Sequence, residues 1–289
     1  MQIISFTHDD QTRVGILRDG AVVDVARVNP DLPGDLKSIL REGRLEELRE
    51  IAMADAHFSL ADVRLESPIK RPGKILAIGL NYRAHAEESG MDIPKYPVVF
   101  TKQNTSINGP YDPVHRADDM RLLDYEGELA IVIGKRARRV PKDKAAGVIA
   151  GFAVNNDVSV RDWQMRSTPP QFTMGKSWDT HCPLGPALVT PDEVDPHGLR
   201  LRTWVNDELR QDSNTSDLIF DCYDIIAYLS TAFTLEPGDV IVTGTPSGVG
   251  AAMQPPQGLV VGDRVKVEIE GLGHIVNEII DEPASATTY

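Results

Sequence analysis

Glu126 and Glu128 open the stretch DYEGELAIVIGK, which is otherwise apolar and strand-like. Residues two apart in a strand project to the same side. The two carboxylates therefore share a face with Ala130 and Val132, while Leu129, Ile131 and Ile133 line the other. A strand apolar on both faces reads as buried. Burying two unpaired carboxylates is costly, so a buried pair needs a compensating cation, and a divalent metal supplies one most directly. The ordinary alternative is that the pair stands at an exposed strand start. A metal would want a further acid at a nearby strand end. The run AGFAVNNDVSVRDWQ offers Asp157, in the position of an N-cap for the helix expected after it.

From Asp157, Arg161 and Gln164 follow four and seven residues on, which places them on the helix face nearest to it. Lys176 lies in TMGKSWDTHCPLGP, where a solvated lysine would be unremarked. Thr245 lies in EPGDVIVTGTPSGVG, where a strand runs into a glycine-rich turn. That turn lacks the Gly-Lys-Ser/Thr ending of a phosphate loop and the spacing of a dinucleotide fingerprint. It could present Thr245 and backbone N–H groups to a small anion. In AIGLNYRAHAEESG, His85 and Glu88 are three apart and touch if the segment is helical. A histidine held at one nitrogen by a carboxylate can take a proton from water, although such pairs also occur as surface ion pairs. His115 and His181 read as loop histidines without a role.

These residues need a scaffold, and the chain can supply one. It has 289 residues, 41% of them hydrophobic, enough for a substantial core. A net charge of -13 argues against nucleic acid or an anionic membrane as partner, so an anionic substrate must be met by local positive charge. No apolar run is long enough to span a bilayer, and the start MQIISFTHDD is not a signal peptide. Cys182 and Cys222 are too few for a disulfide framework. Together these features predict a soluble cytoplasmic protein. In QTRVGILRDGAVVDVA, two β-branched runs meet at Asp19-Gly20, a hairpin-type dipeptide. Helical spacing follows in DLKSILREG and RLEELREIAMADA, with Gly43 as a stop between them. We read residues 1–67 as a small β-rich N-terminal domain and 68–289 as the main domain. In the latter, short apolar runs alternate with Gly/Pro turns, and helices are expected at VSVRDWQMRS and TSDLIFDCYDIIAYLSTAF. The pattern is β-dominated α+β.

Five segments in order, GLNYRAHAEE, DYEGELAIVIGK, GFAVNNDVSVRDWQ, GKSWDTHCPLGP and GDVIVTGTPSGVG, resemble the fumarylacetoacetate hydrolase family over about residues 75–250. The resemblance implies a mixed β-roll catalytic domain, a homodimer, and Mg²⁺ or Mn²⁺ held by Glu126, Glu128 and Asp157. It implies substrates that are 2-oxo acids with a further carbonyl, such as acylpyruvates. A fourth acid ligand known from some members has no counterpart that we can place. Three carboxylates and no soft ligand select a hard cation, Mg²⁺ before Mn²⁺. Such an ion would leave positions for a 2-oxo acid and act as a Lewis acid. Glu88 would orient His85, which would deprotonate the attacking water. Lys176, with Gln164 or Arg161, would meet the developing oxyanion, and Thr245 would hold the substrate carboxylate. The expected reaction is hydrolysis of a carbon–carbon bond in a 2,4-dioxo acid. Decarboxylation of an oxaloacetate-like acid comes second, isomerisation of a dioic acid third, and a non-catalytic metabolite-binding protein last.

Overall fold

The two-faced strand is real. Every residue of Gly127–Ile133 is buried. Leu129, Ile131 and Ile133 belong to one hydrophobic core and Ala130 and Val132 to another, as their alternation requires. The computed structural model describes residues 1–88 and 90–286, and in it this strand lies inside a twelve-stranded mixed sheet. Ile149–Asn156 pairs with it antiparallel, placing Asn156 opposite Gly127. Val240–Val242 pairs on the other side. Ile75–Gly79 then runs parallel to Val240–Val242, and Val98–Lys102 forms that edge of the sheet.

A second sheet of five strands is built from Glu208–Asn214, Arg200–Val205, Arg264–Ile269, Gly273–Asp281 and Val114–Arg116. Leu201, Val267 and Ile275 of this sheet share a core with Leu129, Ile131 and Ile133. The opposite core joins Ala130 and Val132 to Ile3 and Ile16, and to Leu36, Ile39 and Leu48 from the helices Leu36–Arg41 and Glu47–Ile51. The fold is therefore the sheet-dominated α+β arrangement that the sequence predicts. The first strand, Gln2–His8, joins the large sheet by pairing Gln2 with Val189 and Ile3 with Leu188. Sheet and core both run across the boundary expected near residue 67.

Local signals explain the connections. Asp19 and Gly20 both have positive φ, 50° and 76°, as the two-residue hairpin between Gln11–Arg18 and Ala21–Asp24 demands. Asp221 caps the helix Cys222–Ala232 by accepting from the N–H groups of Tyr223 and Asp224, both at 2.9 Å. That cap starts the helix seven residues later than expected, and Thr215–Asp217 forms only a short 3₁₀ turn.

The expected helix at residues 158–167 is corrected more sharply. Ser159–Val160 is extended and pairs with Leu123–Asp124, because Val158 and Val160 are buried in the core. The helix is confined to Arg161–Gln164, and its N-cap position belongs to Val160, not Asp157. A short helix at Phe172–Lys176, to which the sequence reading assigned no element, packs against it. A Cβ on Gly175 would meet the Gln164 Cβ at 2.5 Å, so glycine permits this close approach.

Candidate active site

The register that places Gly127 opposite Asn156 also brings their outer neighbours, Glu126 and Asp157, side by side. Asp157 N–H donates to the Glu126 carbonyl at 2.8 Å, and Glu126 N–H donates to Asn156 Oδ1 at 2.9 Å. Glu128, two residues into the strand, points to the same place. The three carboxylates offer ligand oxygens within 4.8 Å of one another, and all three residues are buried. The pair is not at an exposed strand start. Having no role as an N-cap, Asp157 is free to face the two glutamates.

Three cations surround the acids, Lys176 and Lys102 buried and Arg161 partly buried. Lys176 Nζ reaches Glu126 at 2.8 Å, Asp157 at 2.9 Å and Ser159 Oγ at 2.6 Å. Lys102 Nζ lies 2.6 Å from the other Asp157 oxygen and also donates to the Lys176 carbonyl. Arg161 contacts Glu126 at 2.7 Å and Asp124 at 2.9 Å, and donates to Gln164 Oε1 at 3.0 Å. Burial alone would raise the Glu126 carboxyl, but Lys176 and Arg161 outweigh it and hold the group down at about 2. Glu128 goes the other way. Burial, then the charges of Asp157 and Glu126, push it well above the usual carboxylate range, although the Gly244 N–H donates to it at 2.7 Å. A carboxylate so placed lacks a cation. The donor set, three carboxylates with no thiolate or imidazole, fits a hard divalent ion.

Above the acids opens a cavity of about 530 Å³ lined by Glu126, Arg161, Gln164, Lys176, Thr245, His85 and Glu88, among others. His85 and Glu88 stand on the helix Arg83–Glu88, with Nδ1 to Oε2 at 3.2 Å. Glu88 is held in turn by the Gly248 N–H at 3.0 Å, so the glycine-rich turn anchors the pair. That leaves His85 Nε2 as the available nitrogen. Thr245 sits deeper. Its hydroxyl donates to the Gly127 carbonyl at 3.0 Å and accepts from Gln211 Nε2 at 2.8 Å. A substrate carboxylate could claim its proton only by displacing Gly127.

Sequence reasoning missed two contributors. Lys102 closes the strand Val98–Lys102, and the clue was arithmetic, since buried acids demand buried cations. Asp124 stands two residues before Glu126. It fixes Arg161 and accepts from the Gly250 and Ala251 N–H groups at 2.8 and 3.0 Å, tying the guanidinium to the cavity rim. His181 lies outside the cavity lining, fully buried, with Nε2 donating to the His115 carbonyl at 2.8 Å.

A family model described as fumarylacetoacetate (FAA) hydrolase C-terminal matches residues 74–280. The chain belongs to the fumarylacetoacetate hydrolase family. A mitochondrial oxaloacetate tautomerase from Rattus norvegicus is 40% identical over 294 residues, covering 97% of this chain and 92% of the relative. Two solved structures each cover 98% of the chain, with the whole of their own length matched. Maleylpyruvate hydrolase from Sphingobium sp. SYK-6, in complex with manganese(II) and pyruvate, superposes with a TM-score of 0.81 at 32% identity. The 5-carboxymethyl-2-hydroxymuconate delta-isomerase from Mycobacterium smegmatis gives 0.79 at 36%. These relatives are named as a tautomerase, a hydrolase and an isomerase. Among the described residues, no helix is long and apolar enough to cross a membrane.

Proposed function

We propose that this protein hydrolyses a carbon–carbon bond in an acylpyruvate-like 2,4-dioxo acid, with Mg²⁺ or Mn²⁺ held by Glu126, Glu128 and Asp157. The observation that carries the reading is the His85–Glu88 pair, anchored by Gly248 and lining the same cavity as Glu126, the outermost member of the acid cluster. When bound, the ion supplies Lewis-acid polarisation of the 2-oxo group. Glu88 accepts from Nδ1–H and fixes the tautomer, so Nε2 of His85 accepts a proton from water. The hydroxide adds to the distal carbonyl carbon. The oxyanion that forms there takes its hydrogen bonds from Gln164 and Lys176. Gln164 has its Oε1 occupied by Arg161, which leaves the amide N–H groups as donors. Lys176 exchanges one of its carboxylate contacts for the new negative charge. Collapse of the adduct breaks the bond to C3. The electron pair moves onto the pyruvate fragment, and the proton carried by His85 returns to it.

A second reading is keto–enol tautomerisation of an oxaloacetate-like acid, favoured by 40% identity to a tautomerase over 97% of the chain. There His85 would move a proton between C3 and the enol oxygen, with no water attack. Both activities are to be measured with Mg²⁺ and with Mn²⁺ on one preparation each of wild type, His85→Ala and Glu88→Gln. We expect acylpyruvate hydrolysis in the wild type, a loss of about 10²–10⁴ in turnover for His85→Ala, and a smaller loss for Glu88→Gln. Wild-type turnover of oxaloacetate tautomers alone would replace the first reading with the second. Full hydrolysis by both variants would remove the dyad from the mechanism.

A further inference from the structure

We infer that this cavity selects 2-oxo acids bearing a single carboxylate and an uncharged, apolar distal group. The inference rests on the 2-oxo acid reading above and adds the class of its variable arm. Two independent features of the site support it.

The first is the wall. Besides its polar residues the cavity is lined by Ile78, Val98, Phe100, Leu122, Phe172 and Val249, with Met91 and Met165 exposed and the Lys176 Nζ 5.4 Å from the Phe100 ring centre. Phe100 and Phe172 are stacked with ring centres 5.4 Å apart, giving one continuous aromatic surface. The only lysine or arginine side chains among the described lining residues are Lys176 and Arg161. Lys176 already serves Glu126, Asp157 and Ser159, and Arg161 serves Asp124, Glu126 and Gln164. His85 faces its own carboxylate, Glu88. With Arg161 paired and Lys176 reserved for the oxyanion, a second carboxylate at the far end of a substrate would be buried against hydrocarbon with no further cation of the described lining to meet it, which is strongly unfavourable. The space itself exceeds what a four-carbon acid occupies and falls in the range used for larger ligands.

The second is charge balance. Four buried carboxylates, Asp124, Glu126, Glu128 and Asp157, are ion-paired or grouped with three cations, the buried Lys102 and Lys176 and the partly buried Arg161. A bound divalent ion requires its carboxylate ligands ionised, and the seven groups together with that ion then carry one net positive charge. A monoanion neutralises it. A dianion leaves one negative charge uncompensated in a low-dielectric site.

Calorimetric titration with non-hydrolysable probes separates this inference from the proposed reaction. The probes are straight-chain 2-oxo acids from pyruvate to 2-oxooctanoate, together with the dicarboxylate 2-oxoadipate, each added to wild-type protein saturated with Mn²⁺. Each added methylene is expected to tighten binding about threefold until the chamber is filled. 2-Oxoadipate is expected to bind at least about tenfold more weakly than 2-oxohexanoate, the cost of one poorly compensated charge. Met165→Lys, which sets a cation on the exposed lip, is expected to narrow that gap. A flat chain-length series, or 2-oxoadipate binding as tightly as 2-oxohexanoate, would overturn the inference while leaving the 2-oxo acid reading intact. An unchanged gap in Met165→Lys would overturn the claim that the uncharged wall sets it. Failure of every probe, pyruvate included, would overturn the 2-oxo acid reading itself.

Discussion

Glu126, Glu128 and Asp157 stand on or beside paired strands, whereas His85 and Glu88 stand on a helix of six residues. His85, Glu88 and, of the acids, Glu126 line the same cavity from different kinds of support. The acids are fixed by the sheet register, by Gly244 and by Lys102, Lys176 and Arg161. A six-residue helix has little stability of its own and depends on what it touches. Here those contacts are the buried Ala86, the Asp217 carboxylate accepting from the Ala84 N–H at 3.2 Å, and the hold of Gly248 on Glu88. The difference teaches how the work is divided. Like charges need an unyielding frame to be kept together. A proton carrier needs only its orientation set, and one carboxylate with one backbone N–H sets it.

The comparison breaks most visibly at Glu128. Glu128→Ala is expected to weaken Mn²⁺ binding by more than about 100-fold, beyond the 10–100-fold typical of residues that only orient ligands. His85→Ala is expected to leave Mn²⁺ affinity unchanged while losing turnover. Titration calorimetry of both variants checks this, and equal losses of metal affinity would erase the distinction between frame and carrier. Lys102→Met tests the frame without touching the cavity lining. Removing one partner of a buried ion pair costs about 3–5 kcal/mol, so the chelated variant should unfold correspondingly earlier in urea. Mn²⁺ should restore more stability to this variant than to wild type, because the ion then answers the charge left on Asp157. Unchanged stability in chelator would mean that Lys102 carries no such weight.

The same division decides what the sequence could reveal. The strand Gly127–Ile133 was legible because alternation and a doubled acid leave few alternatives, and the dyad because three-residue spacing on a helix is local. Lys102 was not, since it meets Asp157 across 55 positions of chain through sheet pairing that no local pattern encodes. Asp157 was misplaced as an N-cap for a related reason. An acid before a helical stretch suits a cap, and only the buried Val158 and Val160, drawn into pairing with Leu123 and Asp124, keep the helix away from it. Lys176 was singled out through the family resemblance, since its segment alone suited a solvated lysine and its buried partners Glu126, Asp157 and Ser159 lie far from it in sequence. The short helix Phe172–Lys176 carries a glycine inside it, which lowers helix propensity, and that glycine is there for contact with Gln164.

His181 sharpens the comparison from outside both regions. It is one of the two histidines, with His115, that sequence reasoning left without a role. Its ring stacks near Trp178, with centroids 6.3 Å apart, and its Nε2–H donates to the His115 carbonyl, while Nδ1 has no protein partner. A carbonyl can only accept, so Nε2 carries the hydrogen, and a buried Nδ1 without a partner disfavours a second proton there. Burial pushes its pKa down to about 3, against about 6.5 in an unfolded chain. Between those values the unfolded state binds the proton and the folded state does not. Stability from this group is therefore complete above pH 6.5 and declines as pH falls. Between pH 6.5 and 5, where most carboxylates stay ionised, the decline should amount to about 2 kcal/mol. Urea unfolding at pH 6.5, 5.75 and 5 of wild type and His181→Gln, both with chelator, isolates this contribution as the difference between their slopes. A glutamine amide can still donate to the His115 carbonyl but takes up no proton, so the variant's profile should be flatter. Parallel profiles would show that His181 is charged in the fold, and its burial would then need a partner that its unpaired Nδ1 does not have.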